Sequence, residues 1–103
     1  KYDDIDGVYS GDDNMGVGAL NAAKAAGRDG IVFVGATNFA VGYEAMGAGD
    51  YWGSIYQSPV DDAEAALQTA IDVLQGEEVP FLNYFDTPKI TQENMDEFSK
   101  PVF

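Results

Sequence analysis

Apolar positions along the chain alternate between short dense runs and longer stretches of three- and four-residue spacing. Gly7–Ser10 holds Val8 and Tyr9, Ile31–Val34 is apolar throughout, and Trp52–Tyr56 and Phe81–Phe85 are rich in aromatic residues. Runs of this length bounded by Gly, Asp and Pro read as strands. The continuously apolar run at 31–34 is the pattern of a strand covered on both faces. Between the runs, Met15, Ala19, Leu20 and Ala23 recur at helical spacing and make one stripe. Ala63, Leu67, Ala70, Ile71 and Leu74 make a second, and a weaker helix spans Phe39–Met46.

Helix ends are well marked. Asp12 or Asp13 can cap the first helix, because a short carboxylate accepts from the free backbone N–H groups of the first turn. Thr37 or Asn38 can do the same for the second. Ser58 as N-cap, Pro59 at the first helical position and Asp61–Asp62 in the first turn open the third. Gly27 ends the first helix as a C′ glycine, Gly47 and Gly49 close the second, and Gly76 stops the third. After Pro88 a short extended piece, Lys89–Thr91, precedes one helical turn over Gln92–Phe98. The order is β-α-β-α-β-α-β with Phe81–Phe85 as the fourth strand. Such alternation predicts an α/β fold of three layers, a mostly parallel sheet with flanking helices and right-handed crossovers. No low-complexity stretch interrupts it, so residues 1–103 read as a single α/β unit.

Charge narrows the function. Eighteen acidic residues against five Lys and Arg leave a formal charge of −13. That balance argues against nucleic acid and anionic membrane surfaces, which need clustered cations. With no cysteine and no histidine, disulfides, thiolate sites and the usual general base and zinc ligand are absent. No apolar run approaches the roughly 18 residues that span a bilayer, and we expect no signal peptide within these 103 residues. We expect neither a cofactor nor a metal nor catalysis.

Parallel α/β sheets bind ligands at the carboxyl edge of their strands. The first three strands place Asp12–Asp13, Thr37–Asn38 and Gln57 there. Carboxylate, hydroxyl and amide groups suit hydroxyl-rich neutral ligands. Gln57 stands apart from capping, because Ser58 already fills that position. Trp52 can be core or can stack on the apolar face of a sugar ring.

The stretches VYSGDDNMGVGALNAAKAAGR, IVFVG, the YQSP turn and LQGEEVPFLNYFDTPKITQENMDEF resemble, in that order, the C-terminal half of type I periplasmic sugar-binding proteins. These are ribose-binding-protein-like receptors of ABC importers. The resemblance implies a Rossmann-like or flavodoxin-like lobe and a monosaccharide or polyol bound in a cleft between two lobes. It places Asp12 at the polar ligand position after the first strand and Gln57 at the family's glutamine before the hinge. Thr37 replaces the aspartate of the family's G-x-D-G turn. Asp13, Asn38 and Trp52 are secondary candidates; with Asp12 at the ligand position, Asp13 is the expected cap of the first helix.

The resemblance also implies a partial chain. Residues 1–57 and 88–103 would belong to the C-terminal lobe, and 58–87 would pack on the other lobe. The partners it implies are the ABC permease, the missing N-terminal half or a second copy of the chain, and the location is extracytoplasmic. Two further readings stand beside this one. The first is a self-associating fragment without ligand binding. The second is a receiver-like Mg²⁺ protein using the paired aspartates, a threonine and Lys89.

Overall fold

The computed structural model describes residues 2–102. Strands β1 (Gly7–Tyr9), β2 (Val32–Val34), β3 (Gly53–Ile55) and β4 (Lys89–Thr91) form one sheet in the order β1-β2-β3-β4. The first three run parallel, with Val8 opposite Phe33 and Val34 opposite Gly53. Helix α1 (Asp13–Ala25) connects β1 to β2, and α2 (Ala40–Gly47) connects β2 to β3. The two helices pack against each other over one face of the sheet. Strand alternation sends Val8, Phe33, Ser54 and Ile90 to that face. Leu20, Phe33, Met46, Tyr51, Ile90 and Met95 form the buried core beneath the helices.

The opposite face is open: Tyr9, Val32 and Ile55 are exposed on it. Of the three layers expected, the described residues build two. The sheet is mixed, because β4 runs antiparallel to β3, with Ile90 opposite Ser54.

The fourth strand expected at Phe81–Phe85 does not form. Phe81 is 99 % exposed, and Leu82 and Tyr84 are exposed beside it in irregular backbone. The reason lies in α3 (Pro59–Gln75), of which no residue is buried. Its apolar stripe exists as read, but Leu67 and Leu74 face water instead of the sheet. A helix that does not lie on the sheet cannot return a strand parallel to β3. The chain instead comes back through Pro88, whose carbonyl accepts from Tyr56 N at 2.8 Å, and Lys89–Thr91 takes the fourth position. Asn94 Oδ1 then accepts from Thr91 N at 2.7 Å, ending the strand, and a 3-10 turn follows at Met95–Glu97. The result is elongated, 58 × 31 × 20 Å.

The signals that end α1 and bound α3 act as read. Ser58 Oγ accepts from Asp61 N at 3.2 Å, Pro59 opens α3, and Gly76 closes it at φ 83°. Gly27 follows α1 at φ 65°. Helix α2 departs from expectation. Its N-cap residue is Phe39, and neither Thr37 nor Asn38 caps it.

Two glycines of α1 make opposite tests of this packing. Replacing Gly by Ala in a helix interior is worth roughly 1 kcal/mol on propensity. At Gly18 nothing lies within 4 Å of an added Cβ, so Gly18→Ala stabilises by about 0.5–1 kcal/mol. At Gly16 the added carbon would overlap the Tyr51 hydroxyl and Ser10 Oγ. Overpacking costs of about 1–3 kcal/mol exceed the propensity gain there, and Gly16→Ala destabilises. Urea titration of both variants checks the pair of signs.

Candidate functional site

Three strand ends meet at the carboxyl edge, and the adjacent aspartates that follow β1 divide their work. Asp12 is the N-cap of α1; its Oδ1 accepts from Met15 N at 2.9 Å, and the residue is half-buried at the edge. Asp13, the first residue of the helix, is 0 % exposed. Both of its oxygens lie within reach of Ser54 Oγ, at 2.8 and 2.9 Å, and Oδ2 also accepts from Phe39 N at 2.9 Å. Asp13 therefore caps α2 from another helix, which is why no residue of the preceding turn needs to. The expectation that Asp13 caps its own helix is corrected: Asp12 does so, and Asp13 joins α1, α2 and β3.

A buried carboxylate needs charge compensation. Asp13 sits at the N-terminal ends of both α1 and α2, where helix dipoles favour negative charge. Burial nevertheless pushes its pKa above the ordinary 3.8, and the charge of Asp12 adds to the rise; hydrogen bonds from Ser54, Phe39 N and Tyr51 oppose it. Tyr51 is itself buried, its hydroxyl 3.2 Å from Ser10 Oγ. Burial raises the Tyr51 pKa, opposed by the Ser10 hydrogen bond. Neither Tyr51 nor Ser54 was marked by sequence reasoning. The one available signal was a serine at an inward-facing strand position, where an apolar residue is the default.

The turn after β2 is strained. Thr37 has φ 86° and Asn38 φ 51°. Positive φ is uncommon for any residue with a Cβ and a marked outlier for a β-branched one. Asn38 is only 4 % exposed, and Thr37 Oγ1 and Asn38 Oδ1 are buried without a hydrogen-bond partner among the described residues. Buried orphan oxygens are rare because each carries a desolvation cost. Both residues line a groove of about 200 Å³ together with Tyr56, Gln57, Ser58 and the segment from Ser99 to Val102. The structure thus brings Thr37, Asn38 and Gln57 to one groove, with Asp12 on the same sheet edge.

Trp52 lies elsewhere. It precedes β3, at the amino end of that strand, is 63 % exposed, and lines a different groove of about 430 Å³ with Val32, Lys89, Thr91 and Asn94. A platform role for Trp52 beside Gln57 is therefore set aside. The receiver-like arrangement also lacks its acidic pair, because the Asp13 oxygens are engaged with Ser54 and Phe39 N. No group of three or more acidic residues able to hold a metal ion occurs among the described residues. The residues lining the groove carry hydroxyls (Thr37, Tyr56, Ser58 and Ser99), two amides (Asn38 and Gln57) and one ammonium group (Lys100), all of which exchange hydrogen bonds with hydroxyls.

An α/β lobe with a polar carboxyl edge, a strained turn there and one bare sheet face is the class of structure defined so far. The periplasmic binding protein domain family matches residues 1–78, and the chain belongs to that family. A xylitol-binding protein of Mycolicibacterium smegmatis is 38 % identical over 92 residues, covering 89 % of this chain and 26 % of the relative. An ABC transporter solute-binding protein of Mycobacterium smegmatis, solved with glycerol, superposes with a TM-score of 0.82 at 26 % identity, covering 94 % of this chain and 35 % of that one. A periplasmic solute-binding protein of Actinobacillus succinogenes with bound D-allose gives 0.81 at 25 %, covering 91 % and 33 %. The chain therefore spans about a quarter to a third of the length of these relatives.

Asp13 makes the site's ionisation measurable. A carboxyl whose folded pKa lies above its unfolded value contributes stability below pH 3.8, and that contribution is lost as pH rises through the raised value. Relative to Asp13→Asn, the wild type should therefore lose stability on going from pH 3 to pH 7. Urea titrations of both proteins across that range check the sign; a difference that does not vary with pH overturns it.

Proposed function

We propose that this chain forms one wall of a sugar- or polyol-binding cleft in a non-catalytic solute receptor serving an ABC importer. The observation that carries the reading is the Thr37–Asn38 turn, whose two buried oxygens lack partners beside Gln57. Local backbone strain and unmade hydrogen bonds persist where a ligand completes them. In this reading Thr37, Asn38 and Gln57 contact ligand hydroxyls, and Asp12 contributes its edge-facing carboxylate. The named ligands of the relatives, xylitol, glycerol and D-allose, support a polyhydroxylated compound. In this reading the location is extracytoplasmic and the importer's permease is the partner.

Residues 58–87 then belong to the second lobe, while 1–57 and 88–103 stay with the first. What supports this division is the apolar side of α3 and of 81–84, which none of the described residues covers: Leu74 is 87 % exposed and Phe81 fully so. An uncovered face of that kind also favours the pairing of two copies when the rest of the receptor is absent. Sedimentation velocity of this chain alone reads that directly.

Two measurements test the reading. Calorimetric titration of the full-length receptor with xylitol, glycerol and D-allose should show saturable binding to at least one. Gln57→Ala should weaken it by about 1–3 kcal/mol, the cost of an unpaired partner, or roughly tenfold to a hundredfold. Binding of an amino acid or nucleotide alone, or an unchanged affinity in the variant, would sink it. For the lobe division, Leu67→Asp with Leu74→Asp should leave this chain's stability within about 0.5 kcal/mol, as exposed substitutions do, yet destabilise the full-length receptor by more than that. Equal effects in both would reject the division.

A further inference from the structure

The turn that lines the groove is held in place by residues that do not themselves line it. Thr37 and Asn38 occupy the left-handed region in succession. The two amides at the end of that turn are both tied to one buried pair. Asn38 N donates to Ser54 Oγ at 3.2 Å, and Phe39 N donates to Asp13 Oδ2 at 2.9 Å. Ser54 is the junction, since the same hydroxyl donates to the Asp13 carboxylate. Asp13 is immobile in turn. It is wedged against Gly42, where an added Cβ would lie 2.6 Å from the Asp13 carboxyl carbon, and against Gly35 on the other side.

We propose that the buried Asp13–Ser54 pair is a positioning device for the ligand site: it clamps the Thr37–Asn38 turn in its left-handed form and so withholds Thr37 Oγ1 and Asn38 Oδ1 from intramolecular partners. The argument is one of competition. A threonine at φ 86° relaxes toward negative φ unless its neighbours over-determine it. A hydroxyl and a side-chain amide freed in this way readily bond to nearby backbone groups, as Thr and Asn do in turns. The clamp blocks that relaxation through the backbone alone and leaves the side-chain oxygens unpartnered. Ser54 and Asp13 thus act through the turn and not on the ligand. This inference rests on the polyol-binding reading for its effect on affinity, but the clamp itself is measurable without a ligand.

The test uses the full-length receptor with xylitol as the probe, at a temperature where circular dichroism shows each variant folded. Ser54→Ala removes the junction without adding bulk. It should raise the dissociation constant for xylitol at least tenfold and speed hydrogen exchange of the Asn38 and Phe39 amides at least tenfold. Ser54→Thr, which keeps the hydroxyl, should restore both to within about threefold of wild type. If its extra methyl prevents folding, Asp13→Asn replaces it, since the side-chain amide can still accept from Phe39 N and donate to Ser54. An unchanged dissociation constant in Ser54→Ala, or unchanged exchange at those two amides, overturns the proposal. Should the wild type bind no polyol at all, the binding reading fails separately. The exchange rates then decide alone, with acceleration in Ser54→Ala upholding the clamp and its absence rejecting it.

Discussion

A single buried carboxylate organises the carboxyl edge of this sheet. Asp13 starts α1, caps α2 and receives the hydroxyl of β3, so three elements distant in sequence converge on one charge. Burial of that charge is tolerable because every contact it makes is a donor and because two helix N-termini point at it. The constraint spreads outward as a demand for space. Gly16 and Gly35 crowd the Tyr51 hydroxyl, and Gly35 and Gly42 crowd the Asp13 carboxylate, leaving no room for a Cβ at any of the three. Positions far apart in the sequence are thus restricted for one reason, the close approach of backbone to a polar centre.

Away from that centre the chain is less self-sufficient. Its core is small and lies wholly on one side of the sheet. The other side, and all of α3, present apolar residues to water. This asymmetry agrees with a chain that spans only part of the length of its relatives. It also explains why local signals and long-range packing part company. The caps of α3 work in isolation, because Ser58, Pro59 and Gly76 need only neighbours in sequence. Its apolar stripe needs a partner surface that no other element among the described residues supplies.

The same distinction sets what could be read in advance. Strands β1 to β3 and all three helices were legible from periodicity and punctuation. Phe81–Phe85 was misread because an aromatic-rich run shows β-propensity whether or not a neighbouring strand exists to pair with it. Of the site, Thr37, Asn38 and Gln57 were legible as strand-end groups, and the structure gathers them in one groove. Residue type alone did not separate the roles of Asp12 and Asp13, and the cap expected from Asp13 is made by Asp12. Adjacent carboxylates offer equal capping chemistry, and only the position of Ser54 across the sheet decides which one turns inward. The left-handed turn was hidden for an opposite reason: a β-branched residue argues against positive φ, so Thr37 conceals the conformation it adopts.

That concealment bears on what the edge is for. A glycine at position 37 would adopt φ 86° without strain, so the threonine is unfavourable for the fold taken alone. A strained residue with a buried, unpartnered hydroxyl, next to a second unpartnered oxygen, concentrates two unfavourable terms in one turn. The fold does not require them there, since the caps, the core and the Asp13 contacts are all complete without either oxygen. Their combined location, beside Gln57 and at the strand edge where α/β sheets meet ligands, is what the proposed cleft would account for. In the proposed cleft the partner would sit in a groove of about 200 Å³ lined by hydroxyl- and amide-bearing residues. A polyhydroxylated molecule fits such a lining, because each of its hydroxyls can both donate to and accept from the neutral hydroxyl and amide groups of Thr37, Asn38 and Gln57.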